Sequence, residues 1–283
     1  MFHQKMALIT GAYSAIGREI ASQLATKGYD LVLAGRNGDS LAALERELKT
    51  RFPERGVSSH VVDLGDHASI GALAAKMRKT GTQLELLIHN AGLALRGLRQ
   101  SPQGNDLHFE VNAAAPFLLT EGLRDLLRPG STVVLVGSSA MRMARKLDLE
   151  ELMHPRRFRT FRPYTLSKLA GAAAMLHLER QLRADNIAVN IVDPGPTKSA
   201  MSTSAAIPGW FRLFRPLFKA PASAAQRVVA VATAGSDQSG RYFERGKPMP
   251  LFAPLGDKAV QDTVAEGIRQ ASRVHVPDLH EAD

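Results

Sequence analysis

Short apolar runs alternate along this chain with longer stretches of helical spacing. Met6-Ala7-Leu8-Ile9-Thr10 is apolar almost throughout and leads through a glycine-containing turn into a helix ending near Lys27. The pattern predicts further strands over 30–34, 57–62, 84–89, 132–136 and 187–192. Helices are predicted over 41–48, about 106–127 and about 163–183. Strands that are apolar on both faces and separated by helices imply a parallel sheet covered on both sides. The expected fold is therefore α/β, a doubly wound parallel sheet. No Ser/Gly/Pro-rich linker and no internal repeat divides the chain, so a single domain over 1–283 is expected.

Composition narrows the chemistry. The 283 residues are 45% hydrophobic, enough for a full core, and contain no Cys, which excludes disulfides and thiolate metal sites. The nine His residues show no ligand spacing such as H-E-x-x-H, and no metal is expected. The net charge of +9 is partly concentrated in Arg142, Arg145, Lys146, Arg156, Arg157, Arg159 and Arg162, and again in Arg212, Arg215 and Lys219. These read first as solvated faces, parts of which could meet a phosphate-bearing cofactor or an acidic substrate. No nucleic-acid-binding module accompanies them, so no nucleic-acid partner is expected. No run approaches the ~18 apolar residues of a bilayer span, and 1–5 lack the apolar core of a signal peptide. A cytoplasmic protein with no integral membrane segment is expected.

Two turns carry cofactor chemistry. After the first strand comes Thr10-Gly11-Ala12-Tyr13-Ser14-Ala15-Ile16-Gly17, with Gly11 and Gly17 where the outer glycines of a T-G-x-x-x-G-x-G turn would stand and Ala15 at the middle one. Such a turn brings a helix N-terminus, with its unpaired N–H groups and positive dipole end, against a pyrophosphate. After the second strand stands Ala34-Gly35-Arg36-Asn37, with no carboxylate to accept from ribose hydroxyls. Arg36 instead offers a planar cation for a 2′-phosphate, so NADP(H) is expected in preference to NAD(H).

A third element carries proton chemistry. Tyr164 and Lys168 stand four apart in a helical segment, hence on one face. A positive charge beside a phenol lowers its pKa and fits it for proton exchange with an alcohol or carbonyl.

Together these residues resemble the short-chain dehydrogenase/reductase family over most of the chain, which implies a Rossmann fold. Thr10 to Gly17 resembles the family's cofactor turn, Asp63-Leu64 its adenine-contacting pair, and His89-Asn90-Ala91-Gly92 its N-N-A-G segment. Asn112 is similar to the tetrad's helix asparagine, and Ser138-Ser139 follows the fifth strand where the catalytic serine belongs. Pro194-Gly195-Pro196-Thr197 resembles the stretch that meets the nicotinamide carboxamide. The resemblance implies a catalytic set of Asn112, Ser139, Tyr164 and Lys168, with Ser138 competing for the serine's place. It implies cofactor contacts from Gly11, Tyr13, Ser14, Ala15, Ile16, Gly17, Arg36, Asn37, Asp63, Leu64, Asn90, Ala91, Gly92, Tyr164, Lys168, Pro194, Gly195 and Thr197.

Leu33-Ala34-Gly35-Arg36-Asn37, Ser167-Lys168-Leu169-Ala170 and Gly240-Arg241-Tyr242-Phe243 look like the retinol-dehydrogenase-like branch. So does the insertion at about 140–163, which separates Ser139 from Tyr164 by 25 positions. Ala15, His89 and Gly137 depart from the family pattern. The implied activity is NADP(H)-dependent hydride transfer between nicotinamide and a lipophilic carbonyl or alcohol, at the CH–OH group of the donor. The alternative is a catalytically silent NADP(H)-binding regulatory protein. A segment at about 198–220, with Trp210, Phe211, Phe214 and Phe218, is expected to form a substrate lid. It could instead be a peripheral membrane contact, a subunit contact or plain core. Family members commonly pair through two long helices, which implies a homodimer or homotetramer.

Overall fold

The computed structural model describes residues 5–157, 161–198 and 218–273. Most of the lid expected at 198–220 therefore lies outside the described residues, as do residues 158–160 of the insertion.

Eight strands form one sheet in the order β3-β2-β1-β4-β5-β6-β7-β8. The strands are β1 (Met6–Thr10), β2 (Asp30–Gly35), β3 (Val57–Val61), β4 (Leu84–His89), β5 (Leu127–Val136), β6 (Ala188–Asp193), β7 (Tyr242–Glu244) and β8 (Lys247–Met249). The first seven are parallel, with Leu8 opposite Val32 on one side and Leu87 on the other. The sheet is not wholly parallel as expected: β8 returns antiparallel from β7 through a tight hairpin. Arg245 and Gly246, with φ of 52° and 85°, make that turn.

Helices cover both faces. α1 (Ala15–Thr26), α2 (Gly38–Arg51) and α8 (Pro221–Ala232) lie on one side, where Ile20, Leu24, Leu44 and Val229 pack onto Ile9 and Leu33. α3 (His67–Thr80), α5 (Ala115–Gly122), α7 (Arg162–Leu182) and α9 (Lys258–Arg273) lie on the other, where Leu73, Phe117, Ala173 and Ile268 pack onto Leu8 and Val133. The remaining helices are short: α4 (Leu107–Phe109) and α6 (Leu149–Met153). Among the described residues no helix is long and apolar enough to cross a membrane.

The long helix expected near 106–127 is interrupted. Between α4 and α5 the backbone makes a π-helical turn over Glu110–Ala114. Such turns are frequent at functional sites, and this one carries Asn112. α7 presses directly onto it. A Cβ added to Gly171 would stand 2.2 Å from the Asn112 carbonyl oxygen, so only glycine permits this approach.

Because β1 lies between β2 and β4, chain connections leave in opposite directions on its two sides. The crevice at the C-terminal ends of the strands at such a switch point is where open α/β sheets bind ligands. The turns after β1, β3, β4, β5 and β6 all converge there.

Candidate active site

The convergence encloses a cleft of about 810 Å³, lined at one end by Arg36, Asp63 and Leu64 and at the other by Ser138, Tyr164 and Lys168. That volume falls in the range of about 300–1,000 Å³ usual for small-molecule sites.

The first wall is the turn between β1 and α1. Gly11 takes a φ of 63°, and a Cβ there would stand 2.8 Å from the Ala91 Cα. Ser14 caps α1, its hydroxyl accepting from the Gly17 N–H at 3.1 Å. A Cβ on Gly17 would lie 2.3 Å from the Gly11 carbonyl oxygen, so the turn's backbone leaves room only for glycine at 17. Ala15 begins α1 and lines the cleft with Tyr13, Ser14 and Ile16. The first-turn N–H groups there have no intrahelical acceptor and can receive a phosphate.

Asn90, after β4, fastens this turn from below. Its Nδ2 donates to the Thr10 and Gly11 carbonyls at 3.1 and 3.0 Å and to the Ser14 hydroxyl at 3.2 Å. The Thr10 hydroxyl accepts from the Ala91 N–H at 3.2 Å.

At the adenosine end, Arg36 is exposed at the tip of β2. The Tyr13 ring covers Gly35, where an added Cβ would meet it at 2.6 Å. Asn37 does not line the cleft; its side chain caps α2 by accepting from the Ser40 N–H at 2.8 Å. Asp63 accepts from the Gly65 N–H at 2.9 Å, and buried Leu64 lines the wall beside it. Pro194, Gly195 (φ 82°) and Thr197 close the far side, with the Thr197 hydroxyl donating to the Gly195 carbonyl at 2.9 Å. These residues fit a dinucleotide: small residues at the close approaches, open helix N–H groups midway and a cation at the ribose end.

The end of the cleft that holds Tyr164 and Lys168 is buried. Tyr164 and Lys168 share the face of α7 toward the cleft, at 8% and 4% exposure. Lys168 donates to the Val136 carbonyl at the end of β5, at 2.9 Å. Gly92 allows it to pass: a Cβ there would stand 3.0 Å from the Lys168 Nζ and 3.2 Å from the Asn112 Oδ1. Asn112 is fully satisfied. Its Oδ1 accepts from the Leu93 N–H at 2.9 Å, while its Nδ2 donates to the Leu93 carbonyl at 2.9 Å and the Ser167 hydroxyl at 3.0 Å.

The two serines turn to different partners. The Ser138 hydroxyl faces the Tyr164 phenol, where it favours the phenolate, and it also accepts from the Ala140 N–H at 3.3 Å. Ser139, the serine expected to be catalytic, also lines the cleft and donates its N–H to Asp193 at 3.0 Å. β5 ends at Val136, as the sequence pattern places it, and Gly137 after it packs against Ile191, 2.9 Å from where its Cβ would be.

Burial dominates the electrostatics. It pushes the Tyr164 phenol up to about 12, with the Asp193 carboxylate adding to the rise and the Ser138 hydroxyl opposing it. It pushes Lys168 down to about 8, against the pull of Asp193. The phenol thus moves opposite to the lowering expected from the sequence, because desolvation dominates.

Two positions that line the cleft carry no sequence signal. Phe161 lines the cleft at a φ of 70°, unusual for an aromatic residue, and stacks on Tyr164 with ring centres 5.1 Å apart. Asp193 reads as the polar end of an apolar strand. His89 lies outside the cleft, bonded to the Thr120 hydroxyl at 2.8 Å. In the insertion, Arg142 stacks over Tyr242 and Phe252 and pairs with Glu244 at 3.2 Å, so part of the basic cluster is structural. Among the described residues no cluster of His, Cys, Asp or Glu could hold a metal.

The model of the short chain dehydrogenase family matches residues 5–207. Dehydrogenase/reductase SDR family member 13 of Bos taurus is 35% identical over 250 residues, covering 84% of this chain and 65% of its own. The chain thus spans just under two thirds of that relative's length. Retinol dehydrogenase 13 of Homo sapiens is 30% identical over 251 residues, covering 85% of this chain and 76% of its own. Among solved structures, a short chain dehydrogenase from Burkholderia cenocepacia J2315 in complex with NADP superposes with a TM-score of 0.70 at 22% identity, over 86% of this chain and 97% of that one. The angucycline C-6 ketoreductase LanV with bound NADP gives 0.68 at 26% identity, over 86% and 95%. Fold, cofactor cradle and relatives agree: this chain is an oxidoreductase of the short-chain dehydrogenase/reductase family, within its retinol-dehydrogenase-like branch.

Proposed function

We propose that the protein is an NADP(H)-dependent reductase of lipophilic aldehydes or ketones, with Tyr164 as the proton donor. The observation that carries this reading is the buried Tyr164 phenol, which lines the cleft with Ser138 and Lys168 and is pushed up to about 12 by burial. Such a phenol keeps its proton at neutral pH and can give it to an oxygen that gains electrons.

Arg36 would hold the cofactor's 2′-phosphate, the N-terminus of α1 its pyrophosphate, and Pro194 to Thr197 its nicotinamide amide. Bound there, the cofactor supplies the hydride. The protein's part is position and one proton. The Ser138 hydroxyl binds the carbonyl oxygen and aims it at the phenol. Tyr164 donates as the oxygen becomes an alkoxide. Lys168, held down to about 8, remains cationic at neutral pH and steadies the phenolate left behind. Asn112, locked by Leu93 and Ser167, keeps the loop after Gly92 clear of the lysine.

A lipophilic substrate is supported by Leu93, Ala140, Met143, Phe161 and Phe218 around the phenol end of the cleft. The test is NADPH oxidation with a panel of retinal, steroid ketones and medium-chain aldehydes. Tyr164→Phe should lower kcat by about three orders of magnitude with NADPH binding within about twofold. Turnover retained by the variant would refute the donor role. NADPH binding without turnover of any carbonyl by the wild type would favour the silent regulatory reading.

A further inference from the structure

Asp193 ends β6 inside the active site, 4% exposed, with both carboxylate oxygens engaged. One oxygen accepts from the Gly195 N–H at 2.8 Å, the other from the Ser139 N–H at 3.0 Å. The first bond shapes the positive-φ turn expected to meet the nicotinamide. The second fixes the turn that aims Ser138 at Tyr164. One side chain therefore sets the spacing between the two walls of the reaction centre.

It is also the buried carboxylate whose charge acts on both members of the α7 pair. We propose that Asp193 is a positioning residue of the hydride-transfer reaction: its carboxylate clamps the Ser138–Ser139 turn to the Pro194–Gly195 turn and balances the buried Lys168 cation. The proposal rests on the reading of Tyr164 as proton donor.

The groups facing Asp193 can be named. Lys168 and Tyr164 face it from α7, and Tyr242 and Glu244 from β7. Arg245, from the hairpin, donates its N–H to the Asp193 carbonyl at 2.9 Å. Both Tyr164 and Lys168 are raised by Asp193 and should therefore titrate at lower pH without it.

An Asp193→Asn variant keeps the volume but turns an amide N–H toward a backbone N–H, breaking one of the two clamps. Its kcat should fall about tenfold or more, with KM for NADPH within about twofold. In the alcohol-oxidation direction the rising limb of the pH–rate profile should move at least half a unit lower. Asp193→Glu, which keeps the charge, should hold the limb at its original pH. If Asp193→Asn does not fold, judged by NADPH fluorescence, Asp193→Ser takes its place, offering an uncharged acceptor to the same N–H groups.

A readout independent of turnover separates this idea from the donor assignment. The tyrosinate absorbance titration of each protein, minus that of the same protein carrying Tyr164→Phe, isolates the one phenol. Its midpoint should fall when Asp193 is neutralised, even if no substrate is found. An unmoved midpoint, or an unmoved pH limb with unchanged kcat, overturns the proposal. A loss of thermal stability alone, with both readouts unchanged, also overturns it.

Discussion

Gly171 lies against Asn112 so closely that an added methyl would stand 2.2 Å from the Asn112 carbonyl oxygen. The contact joins the middle of α7, which carries Tyr164 and Lys168, to the π turn. Gly171→Ala must push the two apart, because the obstacle is backbone and cannot rotate away. Overpacking of this kind costs about 2–3 kcal/mol, which for a protein of this size lowers Tm by about 5–10 °C. Thermal unfolding followed by circular dichroism checks it, and a shift under about 2 °C would show that the helix simply slides.

The buried His89 should make the fold acid-sensitive. Burial pushes its imidazole from 6.5 to about 3, so the folded chain refuses a proton that the unfolded chain accepts. Above the unfolded value both states are neutral and nothing is gained or lost. As pH falls from 6.5 toward 3, stability drops by on the order of 4 kcal/mol. His89→Asn removes the titrating ring and should flatten urea stability between about pH 6 and 4. An equally steep decline in the variant would assign the acid limb to other groups.

The paired serines should separate in kinetics. Ser138→Ala removes a hydroxyl from the reacting oxygen and should lower kcat by about a hundredfold. Ser139→Ala leaves its N–H on Asp193 and should cost no more than about fivefold. The reverse order would restore Ser139 to the substrate.

Arg36 should decide between cofactors. A charge-assisted contact to a phosphate is worth about 1.5–3 kcal/mol, so Arg36→Ala should raise KM for NADPH about 10–100-fold and leave that for NADH nearly unchanged. Equal effects on both would sink the assignment.

The apolar strand runs predict the sheet well because a strand buried on both faces has no polar alternation to confuse it; 84–89 is read to the residue. The cradle around Gly11 and Gly17 is equally legible, since backbone crowding there leaves glycine as the only choice. α3 goes unread although Asp66 caps it and Ile70, Leu73, Ala74 and Met77 recur at helical spacing. The π turn at Asn112 leaves no trace because Glu-Val-Asn-Ala-Ala suits an α-helix as well. The different surroundings of Ser138 and Ser139 come from Tyr164 and Asp193, which lie 26 and 54 positions further along the chain. The roles of Phe161 and Asp193 likewise follow from tertiary contacts.

The side chain of Asn90 ties the loop after β4 to Thr10, Gly11 and Ser14, which precede it by 76 to 80 positions. The phosphate cradle is consequently not a local motif of the first turn. During synthesis, the amino-terminal strand and helix can form early, but the cradle cannot be complete until β4 has emerged and lain beside β1. The proton-handling end must wait longer still, for α7 and β6. Completion of the turn around Gly11 is thus an event of the assembled sheet and not of the first strand and helix alone.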